Sequence, residues 1–132
     1  MSLSDEERKA LVQYRLEKAR TTYSQLLNII PLGYWNIVAN RLYYAAYYAV
    51  SALLLNEGHA VQTHNGIIQL LGLHFIKTGR MSKEHGALYG RLFSMRQTGD
   101  YGDTYDFTEE DVLPLVEPTA ALIEEVSNLI NM

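Results

Sequence analysis

Residues 37–55, with the sequence IVANRLYYAAYYAVSALLL, form the stretch that decides the fold. Only Asn40, Arg41 and Ser51 interrupt it with plainly polar side chains. A helix that is apolar or aromatic nearly all round is either buried in a core or spans a membrane. The membrane alternative fails because Arg41 splits the run, and the apolar part that follows is too short to cross a bilayer. The stretch therefore predicts a central core helix around which the rest of the chain packs.

Arg41 needs a partner because an unpaired charge near a core is costly. One interpretation is that it lies at the end of the buried section and meets a structural acid. The other is that Asn40 and Arg41 face a cleft or a subunit interface and help to build a binding site. The sequence alone leaves both open, and the structural acid is the plainer of the two.

Helices are also predicted on both sides of the central one. The first follows a capping box of Ser4 with Glu7 and ends at the turn signal of Pro31. A third helix is expected to follow Thr63 as its N-cap and to finish at Gly79. These boundaries place the central helix between two helical neighbours, which can cover its apolar surface.

The second half of the chain is predicted to continue as helices. Ser82 caps a fourth helix, which Gly99 ends, and residues 100–107 are expected to form a loop. Thr108 then opens another capping box. Pro114 predicts a kink or a restart, because proline lacks a donor and clashes one turn back, and a firmer helix is expected over residues 119–129.

Composition and pattern together predict one all-α domain, residues 1–132, folded as a four- to five-helix up-and-down bundle. The absence of cysteine excludes disulfides and thiolate metal sites, and no histidine has a second ligand at metal-binding spacing, so we expect no metal and no cofactor. The charged N-terminal sequence lacks the pattern of a signal peptide. We expect a soluble cytoplasmic protein without membrane contact.

Charge is distributed unevenly along the chain. The net charge of −4 argues against a generally basic nucleic-acid binder. Residues 41–96 nevertheless carry six basic and two acidic side chains, whereas residues 100–132 carry nine acidic and no lysine or arginine side chains. Such asymmetry can mean only two differently solvated faces, but it leaves room for a local cationic patch.

The stretch with the most chemical potential is RLFSMRQTGDYGD, residues 91–103. Arg96 lies at a predicted helix end, with Asp100 and Tyr101 just beyond it. In the structural interpretation, Arg96 complements the helix C-terminus and pairs with Asp100. In the functional interpretation, the three residues present a guanidinium to a phosphate. Without further information the structural interpretation is favoured.

Two other positions are weaker candidates for ligand binding. His64 lies beside Thr63 at a predicted helix N-terminus, where an anion can bind, although simple capping by Thr63 is the plainer interpretation. Tyr44 is one of four tyrosines on the central helix. These rings are expected in the core or an interface, with stacking on nucleobases as the alternative.

Three stretches in order resemble HEPN-domain proteins over residues 7–130: ANRLYYAAYYAVSALLL, a connector with THNGI, and MRQTGDYGD before an acidic last helix. The resemblance implies a small helical bundle that forms a homodimer. It also implies a ribonuclease, or a noncatalytic domain that binds nucleotides, RNA or protein. Many members belong to toxin-antitoxin or defence systems and are encoded beside a small nucleotidyltransferase.

In the nuclease members, an arginine is followed four to six residues later by a histidine that acts with it on an RNA phosphate. Arg96 matches the arginine, but Tyr101 occupies the position expected for the histidine. A tyrosine with an ordinary pKa of about 10 is a poor base at neutral pH, whereas imidazole exchanges a proton readily there. His64 is a candidate for the missing acid–base help.

Three functions therefore stay open. The first is a nucleotide- or RNA-binding or regulatory protein, acting as the toxin-like half of a pair with a nucleotidyltransferase antitoxin. The second is a metal-independent endoribonuclease that works without the motif histidine, and the third is a noncatalytic dimeric scaffold. The candidate residues are Arg96, Asp100 and Tyr101 for catalysis, and Asn40, Arg41, Tyr44 and His64 for ligand binding.

Overall fold

The computed structural model describes residues 3–59, 63–101 and 105–131, with side chains for all of these except Asp100 and Tyr101. Its α-helices are α1 (Asp5–Ile29), α2 (Trp35–Asn56), α3 (His64–Leu71), α4 (Lys83–Tyr101), α5 (Glu109–Val112) and α6 (Val116–Ile130). Five of them have eight or more residues, and the described residues contain no strand. The predicted all-α bundle of four to five helices is confirmed.

Helix α2 lies at the centre of the bundle and packs against α1, α4 and α6. Its side chains at Leu42, Ala46, Val50 and Leu53 are completely buried. Small alanines between the larger residues let neighbouring helices approach closely, so this apolar helix is covered on most sides. Within the described ranges no helix, α2 included, is long and apolar enough to cross a membrane.

The predicted helix starts are confirmed by their hydrogen bonds. Ser4 and Glu7 form a reciprocal capping box at the start of α1. The hydroxyl of Thr63 accepts a hydrogen bond from the Gly66 backbone amide at 2.9 Å, which satisfies a free donor in the first turn of α3. Thr108 opens the capping box of α5. Side-chain caps visible in the sequence therefore set three of the helix starts.

Helix α4 continues beyond the glycine that was expected to end it. It extends through Asp100 and Tyr101, so these residues lie in its last turn and the prediction of a loop from residue 100 is wrong. Gly99 lies inside the helix, and its lack of a side chain lets the Phe107 ring approach closely; a Cβ atom at this position would lie 3.2 Å from Cε2 of that ring. Residues 102–104 of the predicted loop lie outside the described residues.

The break caused by the prolines falls earlier than expected. A 3-10 turn at Leu113–Leu115 contains Pro114, and α6 begins directly afterwards at Val116. The predicted helix start near residue 119 is therefore wrong. Pro118 fits inside α6 because the first turn of a helix has no partner for its backbone N–H groups.

The third predicted helix is also irregular. It is α-helical only over α3 and continues as a π-helical turn at Gly72–Ile76 before the chain reverses at Gly79. Gly79 has a φ of 78°, a left-handed conformation that glycine adopts without the steric cost of a side chain. The predicted end at this glycine is confirmed, although the helix before it changes type.

Candidate functional site

Two guanidinium groups converge on the ring of Tyr44 in the centre of α2. Cζ of Arg41, one turn earlier on the same helix, lies 5.2 Å from the ring centroid. Cζ of Arg96, on α4, lies 5.7 Å from the same centroid and 5.8 Å from that of Tyr43. Both arginines are half-buried. Cation–π attraction can hold each guanidinium near the ring, and it brings positive charge from two helices to one place.

The first residue of α3 completes this arrangement. The ring centroid of His64 lies 6.4 Å from that of Tyr44 and 5.1 Å from that of Tyr47. Nδ1 of His64 is hydrogen-bonded to the hydroxyl of Tyr43. The Thr63 cap fixes the start of α3 and so presents the imidazole to α2.

The structure thus brings together four of the seven candidate residues: Arg41, Tyr44, His64 and Arg96. We call these four the cationic site. Asn40 is half-buried one turn before Tyr44, and the helical repeat puts it on the same side of α2. Three helices therefore contribute to a single cluster, although the candidates are separated by up to tens of residues in the sequence.

The other two candidates are placed only by their backbones. Asp100 and Tyr101 lie in the last turn of α4, about one turn beyond Arg96. Their side chains are outside the described part of the structure. The expected pairing of Arg96 with Asp100, and any role of Tyr101, therefore stay predictions.

The environment of the cationic site determines the protonation of two of its groups. Burial, and after it the positive charge of Arg96, lowers the pKa of His64 below its usual value. Burial raises the pKa of Tyr43 to about 12. At neutral pH the imidazole is therefore neutral and the phenol is protonated. Because an imidazole nitrogen is the stronger base, the phenol donates to Nδ1, and the proton of the ring lies on Nε2.

The structural acid expected for Arg41 is not among the side chains that the structure describes. Among these residues no carboxylate forms an ion pair with its guanidinium, and its buried Nε has no hydrogen-bond partner there. Its observed neighbour is the ring of Tyr44. The interpretation in which Arg41 helps to build a binding site stays a prediction.

Some contacts at the site and beside it were not predicted from the sequence. The hydrogen bond between Tyr43 and His64 joins residues 21 positions apart. The ammonium group of Lys18, on α1, lies 4.8 Å from the ring centroid of Tyr48. The spacing of the tyrosines placed their rings on several faces of α2, but no local pattern indicates which residue of another helix meets which ring.

Histidines outside the cationic site have other partners. Nδ1 of His85 lies 2.9 Å from Oε1 of Glu125, which links α4 to α6. The rings of His59 and His74 stack with their centroids 4.5 Å apart. Within the described ranges, no three histidine, aspartate or glutamate side chains are grouped so that they could hold a metal ion.

The family model of the HEPN domain matches residues 12–129, which is nearly the whole chain. The chain belongs to the HEPN domain family. A UPF0332 protein of Thermotoga maritima is 33% identical to this HEPN chain over 124 residues, which make up 94% of each protein. A UPF0332 protein of Archaeoglobus fulgidus is 22% identical over 120 residues, covering 91% of this chain and 95% of the relative.

A third HEPN relative has a functional name. The Methanocaldococcus jannaschii protein named "Putative toxin MJ0142" is 28% identical over 96 residues, which cover 73% of this chain and 65% of that protein. The resemblance that the sequence suggested is therefore confirmed at the level of the HEPN family. The correspondence of Arg96 and Tyr101 to the two positions of that family's nuclease pattern stays a prediction.

Proposed function

We propose that this HEPN protein binds RNA by holding a phosphate group at the cationic site. The observation that carries the proposal is the convergence of the Arg41 and Arg96 guanidinium groups on one ring, that of Tyr44. Positive charge from two helices in one place attracts an anion. Guanidinium groups also match the oxygens of a phosphate with paired hydrogen bonds.

His64 adds a third donor to the same place. Its Nε2–H group is free of the Tyr43 bond, which engages Nδ1. A neutral N–H donor next to two cations can bind a phosphate oxygen without adding a third positive charge to the site. The site therefore suits a singly charged phosphodiester of an RNA chain.

Aromatic rings beside the site favour a nucleic acid over a bare anion. The rings of Tyr44 and Tyr48 are half-exposed and lie with their centroids 6.1 Å apart along α2. Proteins that bind single-stranded nucleic acid commonly combine cations for the backbone with aromatic rings on which bases stack. Fluorescence anisotropy with a labelled single-stranded RNA tests the proposal. We expect binding whose affinity falls as salt rises, and no binding at low salt would contradict it.

A toxin-like role is the biological setting that we propose for this binding. It is supported by HEPN family membership and by the name of the M. jannaschii relative, which describes that protein as a toxin. The partner implied by the family resemblance is a small nucleotidyltransferase acting as antitoxin. Co-expression with such a partner should restore growth if this protein is toxic. Growth that is unaffected by this protein alone would contradict the toxin role.

The proposed assembly is a homodimer, and an exposed apolar patch supports it. The patch consists of Tyr34 and Ile37, which are 56% and 49% exposed, and Tyr105, which is 47% exposed. Tyr34 and Ile37 line one groove with Phe107, and the Tyr105 ring contacts the Phe107 ring. Ile37 precedes Arg41 by one turn, so a second copy on this patch would lie beside the cationic site.

A metal-independent endoribonuclease is the second candidate function. It is favoured by one observation: the His64 ring centroid and Cζ of Arg96 lie 6.4 Å and 5.7 Å from the centroid of the same Tyr44 ring. In such a reaction the RNA 2′-oxygen loses its proton, attacks phosphorus and forms a cyclic phosphate, while the 5′-oxygen leaves with a proton. This reaction needs the other neutral tautomer of His64, in which Nδ1–H donates to the Tyr43 hydroxyl. Nε2 would then take the proton of the 2′-oxygen and pass it to the leaving 5′-oxygen, while Arg96 would stabilise the phosphorane. Cleavage in EDTA that leaves cyclic phosphate ends, and is lost in His64→Gln, is the expected result.

A further inference from the structure

A row of rings and one cation continues from the cationic site across α2 and onto α1. The Tyr44 ring is followed by the Tyr48 ring, with 6.1 Å between centroids. The Lys18 ammonium group lies 4.8 Å from the Tyr48 centroid and 5.9 Å from that of Tyr14. We call Tyr48, Lys18 and Tyr14 the α1 row. Neighbouring groups lie 4.8–6.1 Å apart, and the first ring of the row, that of Tyr48, is next to the Tyr44 ring of the cationic site.

The outer end of the α1 row is open to solvent. The Tyr14 side chain is 54% exposed, and Lys18 is exposed as well. Both lie on one exposed face of α1, together with Ala10, Gln13, Glu17 and Thr21.

The α1 row contributes little to the packing of α1 in the bundle. Helix α1 buries Val12, Leu16 and Ala19, whereas Tyr14 and Lys18 lie on a neighbouring, solvent-facing side. A cation–π contact at an exposed site stabilises a fold only weakly. The arrangement is therefore available for a ligand at small cost to the fold.

We propose that the α1 row is the track along which a single-stranded RNA extends from the cationic site. Bases stack on the rings of Tyr48 and Tyr14, and the ammonium group of Lys18 binds a backbone phosphate between them. The inference rests on the proposed function, because the cationic site supplies the anchor for the first phosphate. A duplex is excluded from the track, since its bases are already stacked and paired and do not offer their faces to the rings.

Binding of labelled RNA oligomers of increasing length, measured by fluorescence anisotropy at one salt concentration, tests the track. The wild-type protein should gain affinity from a dinucleotide to an octanucleotide. Tyr14→Ala should lose about tenfold in octanucleotide affinity and keep its dinucleotide affinity. Tyr14→Phe retains the ring and should bind as the wild type does. Lys18→Ala should lower octanucleotide affinity and weaken its salt dependence, whereas Lys83→Ala, at an exposed lysine on α4, should do neither.

The outcomes separate this inference from the proposed function. If the wild type binds RNA but Tyr14→Ala keeps the full gain with length, the track is wrong and the cationic site stands. If the wild type binds neither oligomer, the proposed function fails and the track fails with it. Light scattering on the same variants tests whether this face of α1 binds protein instead of RNA. A change of oligomeric state in Tyr14→Ala would make this face a protein interface and overturn the track.

Discussion

The hydroxyl of Tyr43 is hydrogen-bonded to Nδ1 of His64, across the boundary between α2 and α3. Because burial raises the pKa of Tyr43 to about 12, the phenol stays protonated throughout the range in which the imidazole titrates. The bond therefore holds one tautomer of the neutral ring and leaves the Nε2–H group for a ligand. Tyr43, for which the sequence predicted no role in the site, therefore determines which nitrogen of the His64 ring carries the proton.

RNA affinity should rise as the pH falls from neutral to about 5. The lowered pKa of His64 leaves it neutral in the free protein at neutral pH, whereas a bound phosphate favours the charged imidazole. Binding therefore takes up a proton once the pH approaches the unperturbed value of about 6.5. Anisotropy titrations across this range should show the rise in the wild type and not in His64→Gln. Equal pH dependence in both proteins would exclude His64 from the site.

The titration of His64 should also affect the stability of the fold, which should fall on acidification whereas RNA affinity rises. A histidine whose pKa is lowered by folding contributes stability above about pH 6.5, and this contribution is lost as the pH falls through the folded value. Without ligand, the wild type should therefore lose stability on acidification more steeply than His64→Gln. Denaturant melts at neutral and acidic pH measure this difference, and parallel losses would contradict the prediction.

Arg41→Ala should cost about 1 kcal/mol of unfolding free energy, because it removes a stacked guanidinium but orphans no carboxylate among the described residues. Breaking a buried ion pair would cost about 3–5 kcal/mol. RNA affinity should fall, and Arg41→Lys should restore it only in part, since lysine lacks the planar fork. Denaturant melts and binding titrations on both variants decide the point. A loss as large as that of a broken ion pair would reveal a buried acid instead.

Asn36 should stabilise the segment that precedes α5. Its Nδ2 donates to Asp106 at 3.0 Å, and its Oδ1 accepts from the Phe107 backbone amide at 2.8 Å. Asn36→Ala removes both bonds and should lower the free energy of unfolding by about 1–2 kcal/mol. Asn128→Ala, at an exposed position on α6, is the matched control and should change it little. Equal stability of Asn36→Ala and Asn128→Ala would mean that the two hydrogen bonds of Asn36 do not stabilise the fold.

Ile37→Asp should weaken the proposed homodimer, because it places a charge in the apolar patch. Ile37 is 49% exposed, so the change should leave the fold of the subunit intact. Light scattering over a concentration series should show dimers for the wild type and monomers for the variant at the same concentration. A wild type that stays monomeric at micromolar concentration would contradict the dimer.

The sequence was sufficient for the features of the fold that depend on local chemistry. The apolar run of α2 required burial, and hydroxyl caps such as Thr63 marked helix starts. The end of α4 was not predictable from Gly99, because the helix continues past this glycine, against which the Phe107 ring packs.

The sequence indicated which residues are candidates for the site, but not which of their side chains contact one another. Arg41 and Arg96 were candidates because a charged side chain next to an apolar run needs either a partner or a function. The ring of Tyr44, on which both arginines converge, was expected only to be core or interface. The expectation of an acid for Arg41 followed from the cost of a buried charge and stays a prediction; the Tyr44 ring is a neighbour of Arg41 that this expectation did not include. Which ring meets which cation depends on how three helices pack, and no local spacing reveals that.

The most direct test of the cationic site is RNA affinity in Arg96→Ala compared with Arg91→Ala. Both arginines are on α4, but Arg91 is exposed and Arg96 faces the rings of Tyr43 and Tyr44. We predict that Arg96→Ala loses at least about tenfold in affinity with a small change in melting temperature, since charge-assisted hydrogen bonds contribute about 1.5–3 kcal/mol. Arg91→Ala should bind as the wild type does. Equal affinities in all three proteins, measured by fluorescence anisotropy, would contradict phosphate binding at this site.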